Sequence, residues 1–335
     1  MNRNLLRIGG AALALAGTAA YFVRRRSARA ERAHPPLGRF ITVDGVTLHY
    51  LDEGDGPPLV LLHGLGSMVE DFVLSGLVRE AAKRYRVIAI DRPGYGHSER
   101  PRRFRFGAAR QAGLVRKALQ ALDVHRPIVL GHSWGTLVAV ALALDHPEVP
   151  RSLVLASGLY FPSLRLDAPV MGAPGLPLIG DLLSRTLSPL AGRAMWPGFL
   201  RLIFGPAPVP PAFAAAFPTW LALRPGQLRA VGEDALATLG ATLRAARRYG
   251  ELDLPVVMVA GERDRFVSAR AHSTRLHRLL PRSRLFLSPH AGHMVHHSDL
   301  PLVLRAVDAA AWPPPAFDPL TSSKAGAYPA GPGPA

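Results

Sequence analysis

Five consecutive residues, Gly131-His132-Ser133-Trp134-Gly135, carry the clearest chemical signal in this sequence, because they fit the pattern G-x-S-x-G. The apolar, β-branched run at 127–130 predicts a buried strand before them, and the run at 136–146, free of Gly and Pro, predicts a buried helix after them. A serine on such a sharp turn presents its hydroxyl above the sheet, and the flanking glycines lack the Cβ atoms that would clash there. The pattern therefore predicts a nucleophilic serine with a helix N-terminus behind it.

A serine hydroxyl is a weak nucleophile near pH 7, so it needs a neighbouring base and a carboxylate that orients the base. Downstream of Ser133, Asp264 follows one predicted strand and His293 follows the next. We expect these two residues to be the acid and the base. Glu262 is an alternative acid. The alternative bases are His290, His296 and His297.

The histidines near residue 293 could instead indicate a metal site. His296 and His297 are neighbours whose side chains should diverge, and no second pair of ligands is evident. The sequence has no cysteine, which excludes disulfides and thiolate metal sites. We therefore expect no metal.

Acyl transfer builds negative charge on a substrate oxygen, which backbone N–H groups usually stabilise. Trp134, directly after the nucleophile, is expected to supply one of these groups. The loop His63-Gly64-Leu65-Gly66 follows another predicted strand, and Leu65 is expected to supply the second. Gly64 and Gly66 would let this backbone approach closely, whereas the alternative is a simple turn at the end of a strand.

The elements that must position these residues alternate along the chain between strands and helices. Strands are predicted at 40–43, 46–51, 58–62, 86–90, 127–130, 152–156, 255–260 and 283–287, and helices at 69–85, 106–122, 136–146, 269–279 and 299–311. This alternation predicts an α/β fold with a mostly parallel sheet flanked by helices. Active sites of such folds lie at the carboxyl ends of the strands, where the predicted site residues fall.

Composition divides the chain into four parts. Residues 1–36 form an N-terminal hydrophobic anchor followed by a basic linker, and residues 37–157 with 250–312 form the α/β core. Residues 158–249, dense in Pro and Leu, are predicted to be an inserted helical cap. Residues 313–335, rich in Pro, Gly and Ala, are predicted to be a disordered tail. The apolar cap, with Trp196 and Trp220, suits a small hydrophobic substrate.

The N-terminal segment predicts contact with a membrane. Residues 8–23 are uncharged and flanked by arginines, but these 16 residues are fewer than the ~20 of a comfortable span. We expect a transmembrane or signal anchor, the alternatives being a cleaved secretory signal and a soluble amphipathic helix. Slightly more charge follows the segment than precedes it, which favours a cytoplasmic domain over an exported one.

The formal net charge is +16, almost entirely from arginine. Outside the N-terminus the basic residues are dispersed among apolar ones, so we expect no nucleic-acid partner. Weak attraction to anionic lipid is the expected consequence of the charge. The sequence does not define an oligomeric state.

Taken together, these motifs resemble the α/β-hydrolase superfamily, in its serine-nucleophile branch, over residues 38–311. The resemblance rests on five segments: His63–Gly66, Asp91-Arg92-Pro93-Gly94-Tyr95-Gly96-His97-Ser98, Gly131–Gly135, Gly261–Asp264 and Gly292–His293. It implies an eight-stranded sheet, a mobile cap and no cofactor. Serine at position 133 argues against the epoxide hydrolases and haloalkane dehalogenases of this superfamily, which use an aspartate nucleophile.

The expected activity is that of a serine hydrolase, which cleaves an ester-like bond of a hydrophobic small molecule through an acyl-enzyme. Relatives with other reactions remain alternatives: a carbon–carbon bond hydrolase, an aminopeptidase or a haloperoxidase-like protein. A module that binds a ligand on the same scaffold, without turnover, is a further alternative.

Overall fold

A computed structural model describes residues 3–102, 105–163 and 168–311 of the chain, and an eight-stranded sheet lies at its centre. The strands are β1 (Arg39–Val43), β2 (Val46–Glu53), β3 (Pro58–Leu62), β4 (Arg86–Ile90), β5 (Ile128–His132), β6 (Ser152–Ala156), β7 (Val256–Gly261) and β8 (Ser283–Ser288). Their order in the sheet is β1-β2-β4-β3-β5-β6-β7-β8. Only the pairs β1–β2 and β2–β4 are antiparallel. The predicted mostly parallel sheet is therefore confirmed.

Fourteen helices are found among the described residues. They are α1 (Arg3–Ala33), α2 (Val69–Leu74), α3 (Leu77–Ala81), α4 (Ala108–Ala121), α5 (Gly135–Asp145), α6 (Ala168–Gly172), α7 (Ile179–Arg185), α8 (Leu187–Phe204), α9 (Pro211–Ala216), α10 (Thr219–Ala222), α11 (Pro225–Ala246), α12 (Arg275–Leu279), α13 (Val295–Ser298) and α14 (Leu300–Ala311). Shorter 3-10 turns lie at Ala173–Gly175 and Tyr249–Glu251, and a π-helical turn at Arg270–Thr274 leads into α12.

The central strands are apolar along their whole length because both of their faces are covered. In β3, Val60 and Leu62 face a core that includes α4 and α5, whereas Leu59 and Leu61 face a core that includes α3 and α14. Each such buried side chain contributes about 1.5–3 kcal/mol relative to an exposed one. Burial on both faces removes the polar alternation of an exposed strand, which is why these strands are recognisable in the sequence.

The single helix predicted at 69–85 is instead two short helices, α2 and α3. Gly76 separates them with φ +80°, a left-handed conformation that glycine adopts without the steric cost of a side chain. The apolar spacing continues across the break, because both helices pack against the same core, and this continuity concealed the turn.

Helices α6 to α11 lie between β6 and β7 in the chain, within the region predicted to be a cap. They have an aromatic cluster of their own, in which the rings of Phe213 and Phe217 stack with their centroids 4.6 Å apart. The long helix α11 also reaches the core, since its Asp234 is fully buried among side chains of the loop after β4.

The basic linker predicted at the end of residues 1–36 is helical as far as Ala33, because α1 continues to that residue. Val23, Ser27 and Ala30 share one face of α1 and are buried. Beside them, Phe22 contacts the ring of Trp220 edge-on at 6.0 Å, and Arg224 lies 3.4 Å from Glu31. Ala and Arg are strong helix formers, so this polar stretch is helical when one of its faces packs against the rest of the protein.

No helix within residues 3–102, 105–163 and 168–311 combines the length and the apolar character needed to cross a bilayer. The transmembrane segment predicted at residues 8–23 is therefore not supported. The run consists mainly of Ala and Gly, which are much less apolar than Leu or Ile. The tail predicted at 313–335 lies outside the described residues.

Candidate active site

Ser133 lies on the tight turn between β5 and α5, where its backbone has φ +51°. A non-glycine residue in this region is strained. The turn also brings backbones together, since a Cβ on Gly131 would lie 2.7 Å from Gly135, and a Cβ on Gly135 would lie 2.2 Å from the Leu62 carbonyl oxygen. The two glycines of the motif are therefore required by close packing around the serine.

The three residues predicted to form a triad meet in space. Ser133 Oγ is 2.9 Å from His293 Nε2, and His293 Nδ1 is 2.8 Å from Asp264 Oδ2. The other carboxylate oxygen, Asp264 Oδ1, accepts the backbone N–H groups of Phe266 and Val267 at 2.8 and 2.7 Å. These bonds fix the carboxylate, which can in turn fix the imidazole with its Nε2 towards the serine.

The alternative acid and bases do not contact Ser133. Glu262 is exposed to solvent, and so is His290, whose Nε2 lies 3.7 Å from Asp299. His296 and His297 are turned towards a different carboxylate, Asp71.

The loop His63–Gly66 packs directly beside the nucleophile. A Cβ on Gly64 would lie 3.0 Å from the Cβ of Ser133, and Leu65 and Gly66 line the same cavity as Ser133. Gly66 has φ +73°, so the loop turns with a glycine where a side chain would be strained. Trp134, the other predicted donor of a backbone N–H, is the first residue before α5.

His63 itself has a structural role. Burial, and secondly the Arg92 guanidinium, lower the pKa of His63 to about 4, so the ring is neutral at pH 7. Its Nε2 accepts the Arg92 backbone N–H at 3.0 Å, and its Nδ1 donates to the Gly64 carbonyl at 2.8 Å. The neutral ring thus ties the loop after β3 to the loop after β4.

Arg92 is a residue of the site whose role the sequence did not reveal. Its buried guanidinium donates to the carbonyls of His63 and Gly64 at 2.9 and 3.1 Å. It also lies 4.5 Å from the ring of Trp134 and forms a 2.7 Å ion pair with Asp234 of α11. One cation therefore contacts the loop after β3 and the Trp134 side chain and links both to α11. Asp234 is further bound by Tyr95, Arg100 and Gln111.

A second cluster of carboxylate and imidazole groups lies beside the triad. Asp71 Oδ1 is 2.7 Å from His297 Nε2, and Asp71 Oδ2 is 3.2 Å from His296 Nε2 and accepts the Ser67 hydroxyl at 2.9 Å. Burial alone would raise the pKa of Asp71, but the two imidazoles outweigh burial and hold that pKa well below its usual range.

The expectation that His296 and His297 diverge is wrong, because α13 turns both rings onto one carboxylate. Their Nε2 atoms and an oxygen of Asp71 lie within 4.8 Å of one another, so these three side chains could ligate a metal ion. The 2.7 Å bond between Asp71 and His297 gives each of these two groups a partner, whereas neither ring nitrogen of His296 has a hydrogen-bond partner.

His132 connects this cluster to the triad. Its ring lies 4.4 Å from that of His296 and 5.1 Å from that of His293, and its Nε2 donates to the His293 carbonyl at 3.1 Å. Burial, followed by the neighbouring imidazoles of His296 and His293, lowers the pKa of His132 well below its usual range. A neutral ring therefore supports the loop that carries His293.

The cavity in front of Ser133 is narrow, with a volume of about 50 Å³. Its polar lining consists of Ser67, Asp71, His132, Ser133 and His293. The rest is apolar and comes mostly from the cap: Met171, Trp196, Phe199, Leu200, Ile203, Phe213 and Phe217. Such a cavity can hold a hydrophobic group against a nucleophile.

Comparison with known proteins identifies the family of the chain. The chain matches the family model of the alpha/beta hydrolase fold over residues 57–300, and it belongs to that family of hydrolases. It is 33% identical over 294 residues to the magnesium-chelatase 30 kDa subunit of Rhodobacter capsulatus, covering 81% of this chain and 90% of that protein. It is 29% identical over 286 residues to the 2-hydroxymuconate semialdehyde hydrolase of Pseudomonas putida, covering 81% and 93%.

Among solved structures, an alpha/beta hydrolase fold protein from Burkholderia ambifaria aligns with a TM-score of 0.68 at 23% identity. The alignment covers 81% of this chain and 97% of that chain. At this level of identity the likeness concerns the fold.

Proposed function

We propose that this protein is a serine hydrolase that cleaves an ester-like bond of a hydrophobic small molecule through an acyl-enzyme. The observation that carries the proposal is the hydrogen-bonded chain from Ser133 through His293 to Asp264 at the wall of an apolar cavity. This arrangement supplies a nucleophile, its base and the group that orients the base.

In the proposed reaction, His293 removes the hydroxyl proton as Ser133 Oγ attacks the substrate carbonyl. The backbone N–H groups of Leu65 and Trp134 stabilise the resulting oxyanion, and Asp264 stabilises the imidazolium. His293 then gives the proton to the leaving alkoxide, which departs as the alcohol. A water molecule, deprotonated by the same histidine, cleaves the acyl-enzyme and releases the acid and Ser133.

The charge of the cavity favours an ester over the acidic substrates of carbon–carbon bond hydrolysis. Of the described residues that line it, Asp71 is a carboxylate and none is Arg or Lys. A muconate-type substrate brings carboxylate groups that would need a positive partner once removed from water. A neutral hydrophobic ester needs none.

A fluorophosphonate probe tests the nucleophile directly. We expect the purified protein to be labelled and to hydrolyse p-nitrophenyl esters with a burst of one equivalent, and Ser133→Ala to lose both while keeping its circular dichroism spectrum. Ser67→Ala is the matched control, because Ser67 lines the same cavity and is bonded to Asp71. Labelling of Ser133→Ala, or selective turnover of muconate-type substrates by the natural protein, would overturn the proposal.

A further inference from the structure

Exposed apolar side chains are concentrated on one stretch of the cap, from α6 to α8, which we call the cap edge. Single exposed apolar residues are ordinary, but contiguous patches usually mark an interaction surface. The exposed apolar residues of the cap edge are Val170, Leu176, Leu178, Ile179, Leu182, Leu187, Met195 and Leu202.

Leu178 is the most exposed of them, with 86% of its surface accessible. Its backbone has φ +63°, a conformation that costs a non-glycine residue of this kind about 1 kcal/mol or more. Because the side chain is almost fully exposed, packing within the protein does not offset this strain. The turn before α7 therefore holds a leucine outward, as insertion into an apolar phase would require.

The charges of the cap edge are those that suit an anionic surface. Arg185, Arg193 and Arg201 are exposed on α7 and α8. Asp181 is the only acidic residue between positions 168 and 204, and it is paired with Arg102. Apolar residues interleaved with arginine are typical of helices that lie in the headgroup region of a bilayer.

The N-terminal helix extends this surface. Helix α1 contacts α7, α8 and α10. Val23 and Ala30 in its second half are buried, whereas Leu13 and Leu15 in its first half are exposed. The exposed arginines at 24–26 lie in the second half, directly after Val23. Because α7 and α8 carry the cap edge, the exposed first half of α1 extends from the same side of the cap.

The same cap helices line the active-site cavity from within. Met171 of α6 and Trp196, Phe199 and Ile203 of α8 face the cavity that contains Ser133, while Leu187, Met195 and Leu202 of α8 face outward. A single layer of helices therefore separates the cap edge from the nucleophile.

We propose that the cap edge and the first half of α1 dock on a phospholipid bilayer with anionic headgroups, lying in its interface. The hydrophobic substrate then enters the cavity from the bilayer, past α6 and α8. This second statement rests on the proposed hydrolase function, whereas the docking does not.

The depth of Leu178 in a bilayer can be measured directly, because the chain has no cysteine. Leu178→Cys in the full chain, labelled with an environment-sensitive fluorophore, should shift to the blue on addition of vesicles of phosphatidylglycerol and phosphatidylcholine. Leu279→Cys is the matched control, a leucine on α12 that is 54% exposed. It should not shift. No shift at position 178, or an equal shift at both positions, would overturn the docking. A shift at position 178 that occurs without vesicles, when only the protein concentration is raised, would assign the surface to a second copy of the chain. That result would also overturn the docking on a bilayer.

Vesicle flotation separates this inference from the proposed function. The triple variant Leu178→Asp, Ile179→Asp, Leu182→Asp should bind the vesicles at least about tenfold more weakly, and Leu279→Asp should bind normally. Both should hydrolyse soluble p-nitrophenyl acetate at the natural rate. Unchanged binding of the triple variant contradicts the docking. Normal docking of a protein that hydrolyses no ester supports the docking and contradicts the hydrolase function.

Discussion

Two clusters of aspartate and histidine each contribute one residue, His293 or Asp71, to the wall of the cavity, and they differ in which partners their imidazoles have. In the first, Asp264 holds one nitrogen of His293 and the other nitrogen faces Ser133. In the second, the Asp71 carboxylate accepts hydrogen bonds from His297 and from the Ser67 hydroxyl, and it lies 3.2 Å from His296. The carboxylate orients a base in the first cluster, whereas in the second it is the centre on which the side chains converge.

The comparison shows that residue types alone do not define a catalytic group. Both clusters combine a buried carboxylate with an imidazole of the segment 293–297. The distinguishing feature is the strained turn at Ser133, which brings a hydroxyl to one histidine. The second cluster instead supports the loop that carries the first, since His296 packs on His132 and His132 binds the His293 carbonyl.

The largest difference should appear when both aspartates are changed to asparagine. Asp264→Asn favours the wrong tautomer of His293, so kcat for a p-nitrophenyl ester should fall about 10⁴-fold with the fold intact. Asp71→Asn should leave kcat within about tenfold of the natural value. Equal losses in the two variants, with both folded, would show that Asp71 takes part in the reaction and would remove the distinction.

For stability, the second cluster should matter strongly, although it matters little for kcat. Asp71→Ala leaves His297 and the Ser67 hydroxyl without their buried acceptor and removes the carboxylate beside His296. The free energy of unfolding should therefore fall by about 3–5 kcal/mol in urea denaturation. Asp253→Ala removes a surface ion pair with Arg282 and should cost less than about 1 kcal/mol. A small effect at Asp71 would mean that the second cluster is dispensable for the fold.

Glu70 sharpens the comparison, because this carboxyl, next to Asp71 in the chain, is buried without a hydrogen-bond partner. Burial, and secondly the charge of Asp91, raises the pKa of Glu70 to about 8. The unfolded chain loses this proton above about pH 4.5 and the folded protein keeps it to about pH 8, so ionisation favours unfolding increasingly across that window. Glu70→Gln should therefore gain stability over the natural protein by about 3 kcal/mol more at pH 8 than at pH 5. A difference independent of pH would place Glu70 in contact with water or a cation.

The sheet and the triad were largely predictable from the sequence, for physical reasons. Strands such as β5 and β7 are buried on both faces and so read as continuous apolar runs. Ser133, Asp264 and His293 each follow such a strand, and strand ends share one edge of a parallel sheet. The break of the helix at Gly76 was not predictable from periodicity, because the apolar spacing persists across it.

The supporting residues could not be predicted because their partners are distant in the chain. Arg92 meets Asp234 from 142 positions away, and Asp71 meets His297 from 226 positions away. A lone aspartate within a helix has no local signature of such a partner. The helical character of residues 27–33 was missed for a similar reason, since it depends on contact with the cap.

The docking of α1 on the cap affects how the protein should be produced. Deleting the first 33 residues, a routine step for a suspected leader, would remove Phe22 from its contact with Trp220 together with the buried Val23 and Ala30. The deletion would expose apolar surface on the cap. An affinity tag fused at that end would extend α1, the helix that packs on the cap. Purification handles are therefore better attached at the other end of the chain, which leaves residues 22–30 unaltered.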